Sequence, residues 1–558
     1  MLLFYLSGIY FFIISMLFFL FSLMFMYLKV IIFLEWNVFS FYSVNINMLL
    51  YFDWMTFMFM FTVLFISSMI MIYCTEYMSH DNYINRFYYL VYLFIMSMLI
   101  MIMSPNMISI LIGWDGLGLI SYCLVIYYQN YSSFNSGMLT IFLNRIGDVM
   151  IIMSISLMFI YGSWNYVNLN HSGIIMLMLV VIASFTKSAQ FPFSSWLPMA
   201  MAAPTPVSSL VHSSTLVTAG IYLLIRFNYL IYKYDNLLMI IMVIGLLTML
   251  MAGMSANFEY DFKKIIAYST LSQLGLMMMI YSFKMYELTF FHLIIHAMFK
   301  SMMFMCSGVM IHYTQGCQDI RFYSNMKELM PMTSSVMMIG NFSLCGLPFM
   351  SGFYSKDQIL ESMFMGGMNL MIYLFLLLST GLTVSYSCRL MYYLMSYKMN
   401  FYCYMYIKDD FNMNLSMILL MFNSIFIGMG LNWLMFMNIE YIYLNFMEKI
   451  SILLICLVGV FLGKFNYSSM YFNKFYYFKF FFGKMWFLYS FNLMIIYYLN
   501  LGKFWMKIFD KGWSEFYFKN SVNMMLVKIK ILDSNLMNNY FMIMMLSMGM
   551  MLLLLIFM

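Results

Sequence analysis

The amino-acid sequence predicts an all-α polytopic membrane protein of about fifteen transmembrane helices, two of them broken. Three observations carry this reading. Hydrophobic residues fill 65% of the 558 positions and charged residues only 9%, far below the roughly 25% of a soluble domain. Apolar runs of about 20 residues recur along most of the chain, each long enough to cross a hydrocarbon core of about 30 Å. Proline occurs only seven times, and six of the seven lie around just two of these runs. No long polar linker divides the sequence, so the runs belong to one large bundle.

The first run, Leu2 to Leu28, lacks a basic leading region and a small-residue cleavage site. It also exceeds the roughly 7–15 residues of a signal-peptide core, so it reads as a retained helix. Further spans follow near 54–74, 87–103, 106–128, 138–161, 173–203, 205–227, 236–256, 262–283, 288–312, 332–362, 365–396, 412–434, 449–465 and 540–558. Pro192, Pro198, Pro204 and Pro206 cluster at the end of 173–203 and the start of 205–227, while Pro331 and Pro348 bracket part of 332–362. Proline removes a backbone donor and clashes with the preceding turn. In lipid the freed carbonyls need partners, so such breaks persist only inside a bundle or beside water. Each broken segment carries a lysine: Lys187 in Thr186-Lys187-Ser188-Ala189-Gln190, and Lys356 in Ser355-Lys356-Asp357.

Interrupted helices at corresponding places of two halves are a transporter signature. Taken as five helices each, 87–227 matches 236–396, and the broken helix is fourth of five both times. The chain then divides into N-terminal transmembrane helices (1–86), a first repeat (87–227), a second repeat (236–396) and C-terminal transmembrane helices (397–465). Residues 466–535 mix nine lysines with many aromatics, the pattern of a segment lying at a membrane interface or of a polar connector with interfacial anchors. A terminal anchor, 536–558, closes the chain.

Met (73), Phe (59) and Tyr (47) are abundant and arginine occurs only five times, so AT-rich codons are favoured. A mitochondrial code that reads AUA as Met explains this, as does a Met-rich membrane protein of an AT-rich bacterium. The eight cysteines include no C-x-x-C pair, and no G-x-G-x-x-G or G-x-x-x-x-G-K-[ST] loop is present. The chain is therefore expected to bind no nucleotide, flavin, iron–sulfur cluster or haem itself.

Ionisable residues inside the runs need a reason, because a charge at the bilayer centre costs about 2.5–3.5 kcal/mol on insertion scales. The first half holds Asp115, Asp148, Lys187 and His212; the second holds Lys263, Lys264, His292, His296, Lys300, Lys356 and Asp357. His292, His296 and Lys300 lie four residues apart, so they form one polar stripe on an apolar helix. Zinc ligation, interhelical hydrogen bonding and proton conduction all fit such a stripe. The missing Glu after the first His and the cation at Lys300 weigh against zinc. Lys187 and Lys356 read either as buried ion pairs or as proton carriers. Low dielectric disfavours the charged form of a lysine and a nearby carboxylate favours it, so moving one charge can load or unload the proton. Asp115 is the natural counter-charge for Lys187, whereas Asp148 can pair with Arg145 at i, i+3. Glu35, Glu76, Asp81 and Asp319 read as solvated or interfacial.

Several of these segments carry a family likeness. Lys187-Ser188-Ala189-Gln190, Trp196-Leu197-Pro198, Pro204-Thr205-Pro206-Val207-Ser208, Ala267-Tyr268-Ser269-Thr270, His292 to Lys300, Ser307-Gly308 and Gln318-Asp319-Ile320-Arg321 resemble the antiporter-like subunits of respiratory complex I. Gly352-Phe353-Tyr354-Ser355-Lys356-Asp357 is especially similar to the subunit 5 branch, and the likeness covers about 54–400. It implies two inverted five-helix repeats around a hydrophilic axis and a proton relay coupled to electron transfer from NADH to ubiquinone. In that relay Asp115 stands at the acidic site beside Lys187, with Asp148 and His212 as further polar sites. Lys300 is the central lysine with His292 and His296 beside it, Lys264 belongs to the same half, and Lys356 with Asp357 stands at the outlet. The sequence departs from many relatives in having Asp115 where Glu is common, and in having one fewer N-terminal helix.

The resemblance further implies a mitochondrial inner-membrane setting and a lateral helix over 466–535. NAD, FMN, iron–sulfur clusters and ubiquinone would sit elsewhere in the complex. The partners implied are other membrane-arm subunits, above all neighbouring antiporter-like ones, and membrane phospholipids, not nucleic acid. An Mrp-type cation/proton antiporter subunit shares the bundle and is the alternative. A scaffold without transport would have no use for such costly buried groups.

Overall fold

Twelve helices among the described residues are long and apolar enough to cross a membrane. The computed structural model describes residues 1–41, 44–169, 173–396, 410–436, 442–468, 476–536 and 540–557. In chain order the helices are α1 (Leu2–Leu28), α2 (Trp54–Tyr77), α3 (Ile84–Met103), α4 (Met107–Val125), α5 (Tyr131–Met158) and α6 (Ile174–Lys187). Then come α7 (Thr205–Arg226), α8 (Asp235–Phe258), α9 (Phe262–Ser282) and α10 (Tyr286–Tyr313). They are followed by α11 (Pro331–Cys345), α12 (Gln358–Met365), α13 (Leu370–Met395), α14 (Phe411–Met435) and α15 (Phe446–Ser468). Of the stretches read as spans, 173–203 and 332–362 hold short helices interrupted by irregular backbone, and 540–558 holds Tyr540–Phe557.

Burial sorts these helices. The apolar windows of α7 and α10 are 100% buried within the chain, whereas those of α1 and α15 are 17% buried, so the first pair forms the core and the second pair the rim. α10 is the axis, packing against α2, α7, α9, α11 and α14. Its buried hydroxyls, like those of its neighbours, donate to carbonyls one turn back, as Ser301 does to Met298 at 2.9 Å. Satisfied within their own helix, such groups can sit in an apolar core without orphaned donors.

Between the first two spans, where no element was predicted, strands β1 (Ile32–Phe41) and β2 (Val44–Phe52) pair antiparallel, with a bulge between Asn37 and Phe39. Asp53 follows β2 and caps α2: its Oδ1 accepts from Thr56 N at 2.7 Å while Thr56 Oγ1 accepts from Asp53 N at 2.9 Å. The same carboxylate accepts two hydrogen bonds from Arg226 at the end of α7, at 2.6 and 2.9 Å. The guanidinium also stacks over Tyr51 and Tyr222. This pair fastens the start of α2 to the helix that carries His212.

Both expected breaks are present, but they hold their lysines differently. α6 stops at Lys187, and Ala189 takes a left-handed φ of 52°. The freed carbonyls find partners, since Gln190 N donates to Phe185 O at 2.9 Å and the Trp196 indole donates to Thr186 O at 2.9 Å. α11 stops at Cys345 with Gly346 at φ 83°, and Lys356 lies beyond the break in a wide π-type turn, Phe353–Asp357, that leads into α12. One lysine ends the half-helix before its break; the other begins the half-helix after it.

Phe487–Met558 forms a second unit. It is helical from Leu488 through Leu536, passing through wide turns at Phe509–Ser514 and Phe516–Asn520, and again over Tyr540–Phe557. Cys403 and Lys474 lie outside the described residues.

Candidate functional site: a line of buried lysines and histidines

Lys187 is fully buried where α5 and α7 close on α6. Glycines permit the approach: a Cβ on Gly147 would lie 2.1 Å from Thr186 Oγ1, and one on Gly220 would lie 2.5 Å from Ser184 O. The Lys187 ammonium donates to Trp114 O at 3.1 Å and lies 5.1 Å from the centre of the Trp114 ring. The carboxylates expected beside it turn instead to Arg145, which reaches Asp115 at 3.4 Å and Asp148 at 3.1 Å. The i, i+3 pairing of Asp148 with Arg145 is thus present, and Asp115 shares the same guanidinium rather than touching the lysine.

His212 sits in the wide-turned first part of α7, Ser208–Thr215, buried beside the Trp196 ring at 6.1 Å. Neither ring nitrogen has a hydrogen-bond partner among the described residues. Further on, two adjacent lysines have different surroundings. Lys264 is half-exposed and pairs with Asp261 at 2.5 Å. Lys263 is buried and donates to Ala203 O at 3.2 Å, just before Pro204. Burial therefore singles out Lys263, which the sequence reading noted without placing it in the relay.

The stripe on α10 lies wholly inside the bundle. Lys300 Nζ donates to Ser269 Oγ of α9 at 2.5 Å. Among the described residues neither nitrogen of His296 has a hydrogen-bond partner, and the ring lies 6.4 Å from His292 between ring centres. His292 meets Gln273 Oε1 at 3.2 Å and Ser355 Oγ at 2.9 Å. Ser355 precedes Lys356, so this contact joins the stripe to the second break. The zinc reading finds no cluster of three ligating side chains among the described residues.

Lys356 Nζ donates to Thr383 Oγ1 of α13 at 2.9 Å and to Leu344 O at 3.3 Å. Asp357 makes no ion pair with it among the described residues and instead approaches Gly346, where a Cβ would lie 3.2 Å from Asp357 Oδ1. Lys187, Lys263, Lys300 and Lys356 thus share one arrangement: each is buried and each donates to a neutral oxygen. Among the described residues, none forms an ion pair. A structural lysine would be expected to keep a carboxylate, because an unpaired buried charge is costly. Sequence reasoning placed Ser269 in a family-like segment without a role and missed Thr383, since a buried hydroxyl carries no hydropathy signal.

Family models match nearly the whole chain. Residues 36–88 match the complex I chain 5 N-terminus, 104–383 the NADH:quinone oxidoreductase/Mrp antiporter transmembrane family, and 386–558 the NADH dehydrogenase subunit 5 C-terminus. The NADH-ubiquinone oxidoreductase chain 5 of Aedes aegypti is 49% identical over 504 residues, covering 88% of this chain and 87% of its own length. That of Locusta migratoria is 48% identical, with 86% of each chain covered. Among solved structures, a chain of the Mrp complex from Dietzia sp. DQ12-45-1b superposes with a TM-score of 0.68 at 23% identity. The match covers 79% of this chain and about half, 51%, of that one. A chain of the archaeal membrane-bound sulfane sulfur reductase gives 0.63 at 21% identity, over 77% and 87%. These last two speak for the fold alone. With near-half identity across most of both chains and three consecutive family matches, the chain belongs to the NADH-ubiquinone oxidoreductase chain 5 family and is an antiporter-like, multi-pass membrane subunit of complex I.

Proposed function

We propose that this subunit couples electron transfer from NADH to ubiquinone to proton translocation across the mitochondrial inner membrane. The relay would use Asp115, Asp148, Lys187, His212, Lys264, His292, His296, Lys300, Lys356 and Asp357. The bundle is read as fifteen spans containing two inverted five-helix repeats, 87–227 and 236–396. NADH, FMN, iron–sulfur clusters and the quinone are assigned to other subunits, and the neighbouring antiporter-like subunits are its partners.

The observation that carries the reading is the set of buried lysines on neutral oxygens. A lysine without a fixed counter-charge can exist with or without its proton, and a rearranged neighbour charge decides which. Lys300 shares its helix with two imidazoles, of which His292 meets Ser355 next to Lys356 and His296 has no hydrogen-bond partner among the described residues; each can take a proton on one nitrogen and give it from the other.

The test is proton pumping by the assembled complex in sealed vesicles during NADH oxidation. Lys300→Ala and Lys300→Arg are both expected to lower protons moved per NADH with assembly retained, because arginine keeps the charge but does not release a proton. Normal pumping by an assembled Lys300→Arg complex would overturn the relay. An Mrp-type exchanger would instead run on a cation gradient without NADH oxidation.

A further inference from the structure

The oxygens that hold Lys300 and Lys356 are wired alike, on two different helices. Lys300 Nζ donates to Ser269 Oγ at 2.5 Å, and that hydroxyl donates to Ile266 O of its own helix at 2.7 Å. Lys356 Nζ donates to Thr383 Oγ1 at 2.9 Å, and that hydroxyl donates to Thr380 O at 2.7 Å. All four side chains are buried, at no more than 3% exposure, so bulk water cannot substitute for either contact.

A hydroxyl has one proton to donate and two lone pairs that accept. Beside a lysine ammonium it accepts from Nζ and directs its own proton to the helix carbonyl, the arrangement these distances fit. Beside a neutral amine, whose nitrogen carries a lone pair, the hydroxyl can rotate and donate to Nζ. The carbonyl it leaves belongs to a helix interior and keeps its backbone hydrogen bond. Both protonation states of the lysine are therefore satisfied without moving a backbone atom. A carboxylate, acceptor only, would fix the ammonium form, and a backbone carbonyl cannot donate at all. Lys187 donates to a carbonyl alone, Trp114 O, whereas Lys356 has the Thr383 hydroxyl as well as the Leu344 carbonyl at 3.3 Å, which accepts from the amine in either form.

We propose that Ser269 and Thr383 are positioning residues that hold Lys300 and Lys356 in both their charged and neutral forms, so that each can release and regain a proton in place. The inference rests on the relay reading above. Each release is a simple deprotonation: the ammonium N–H breaks, the proton passes to the relay, the electron pair stays on Nζ, and the hydroxyl keeps its own proton.

The test uses the assembled complex in sealed vesicles, reading protons moved per NADH oxidised, with assembly followed on native gels. Thr383→Val keeps the shape without the hydroxyl, Thr383→Ser restores the hydroxyl in a smaller side chain, and Ser269→Ala with Ser269→Thr does the same at the other site. Thr383→Val and Ser269→Ala are expected to lower the ratio several-fold, and Thr383→Ser and Ser269→Thr to recover most of it. Full pumping by Thr383→Val and Ser269→Ala, alongside a Lys356→Ala variant that does not pump, would overturn the positioning role while leaving the relay standing. Normal pumping by Lys356→Ala would overturn the relay and this inference with it. Equal losses in Thr383→Val and Thr383→Ser would mean that shape, not the hydroxyl, matters, and would also overturn it. Should Thr383→Val not assemble, Ser269→Ala decides on the same readout.

Discussion

Lys263 and Lys264 differ by one position and by everything that surrounds them. A step of one residue turns the side chain about 100° around a helix, so hydropathy alone could flag the pair but not choose between its members. Lys264 belongs to a half-exposed ion pair with Asp261, a kind of contact worth about 0–1 kcal/mol. Lys263 supplies a donor to the carbonyl of Ala203, and Lys263→Met should cost about 1–3 kcal/mol in thermal stability by leaving that carbonyl unmet. An unchanged melting profile would show that the contact is dispensable. The Arg145–Asp148 pair was legible because it lies within one helix turn; the Arg145–Asp115 contact crosses thirty residues of sequence and was not. Nor was Asp53–Arg226, which joins residues 173 apart. Burial alone would raise the Asp53 carboxyl, but the Arg226 guanidinium outweighs it and holds the group below its ordinary value of 3.8. Unfolding returns the carboxyl to that value, so the pair stabilises fully above it and loses its effect as pH falls through the lower, folded value. Asp53→Asn leaves the guanidinium buried without its counter-charge and should cost about 3–5 kcal/mol at neutral pH. A melting midpoint equal to that of the unaltered complex would contradict this.

At the scale of elements, what the sequence announced was interruption, and what it concealed was how each interruption is mended. Proline clustering placed both breaks correctly, because a missing N–H is a local property that needs no tertiary knowledge. The partners of the freed carbonyls are tertiary and were illegible: the Trp196 indole reaches ten residues back to Thr186 O. Trp196→Phe keeps an aromatic ring, though a smaller one, and orphans that carbonyl next to Lys187. It should cost about 1–3 kcal/mol and lower pumping, since the lysine sits on the turn that loosens. An assembled Trp196→Phe complex that pumps fully would show the turn is held by other means. The strand pair of β1 and β2 escaped notice for a different reason. Its exposed Phe33, Trp36 and Phe39 give an apolar reading that a search for helical spans passes over, and two strands generate no helical period. Helix contact through glycine was equally hidden, since composition does not say which glycine faces which helix. Gly147→Ala would drive a methyl group into Thr186 Oγ1 beside the candidate lysine, so it should destabilise the α5–α6 contact by about 1–3 kcal/mol.

For the whole molecule, the question is what the residues after Phe487 are for, because every residue proposed for the relay precedes them. The unit is helical from Leu488 through Leu536, which at 1.5 Å per residue makes about 70 Å, longer than a membrane is thick. It carries Lys503, Lys507, Lys511, Lys519 and Lys528, too many charges for a spanning helix. Gly512, which costs about 1 kcal/mol relative to Ala in a helix interior, falls within the wide turn Phe509–Ser514, where the regular helix already yields. Trp505 stacks on Phe509 at 5.1 Å and Trp513 on Tyr517 at 5.9 Å, and these rings are more than half exposed. A helix of this length that carries aromatic ladders and lysines has the composition expected of a segment at a membrane surface. The expectation is therefore a tether. Truncation before residue 490 should reduce the amount of fully assembled complex on native gels, while the fraction that does assemble should pump a normal number of protons per NADH, because the lysine line is untouched. Full assembly of the truncated chain would remove the tether role, and normal assembly with lost pumping would move this helix from holding the complex together to working its proton relay.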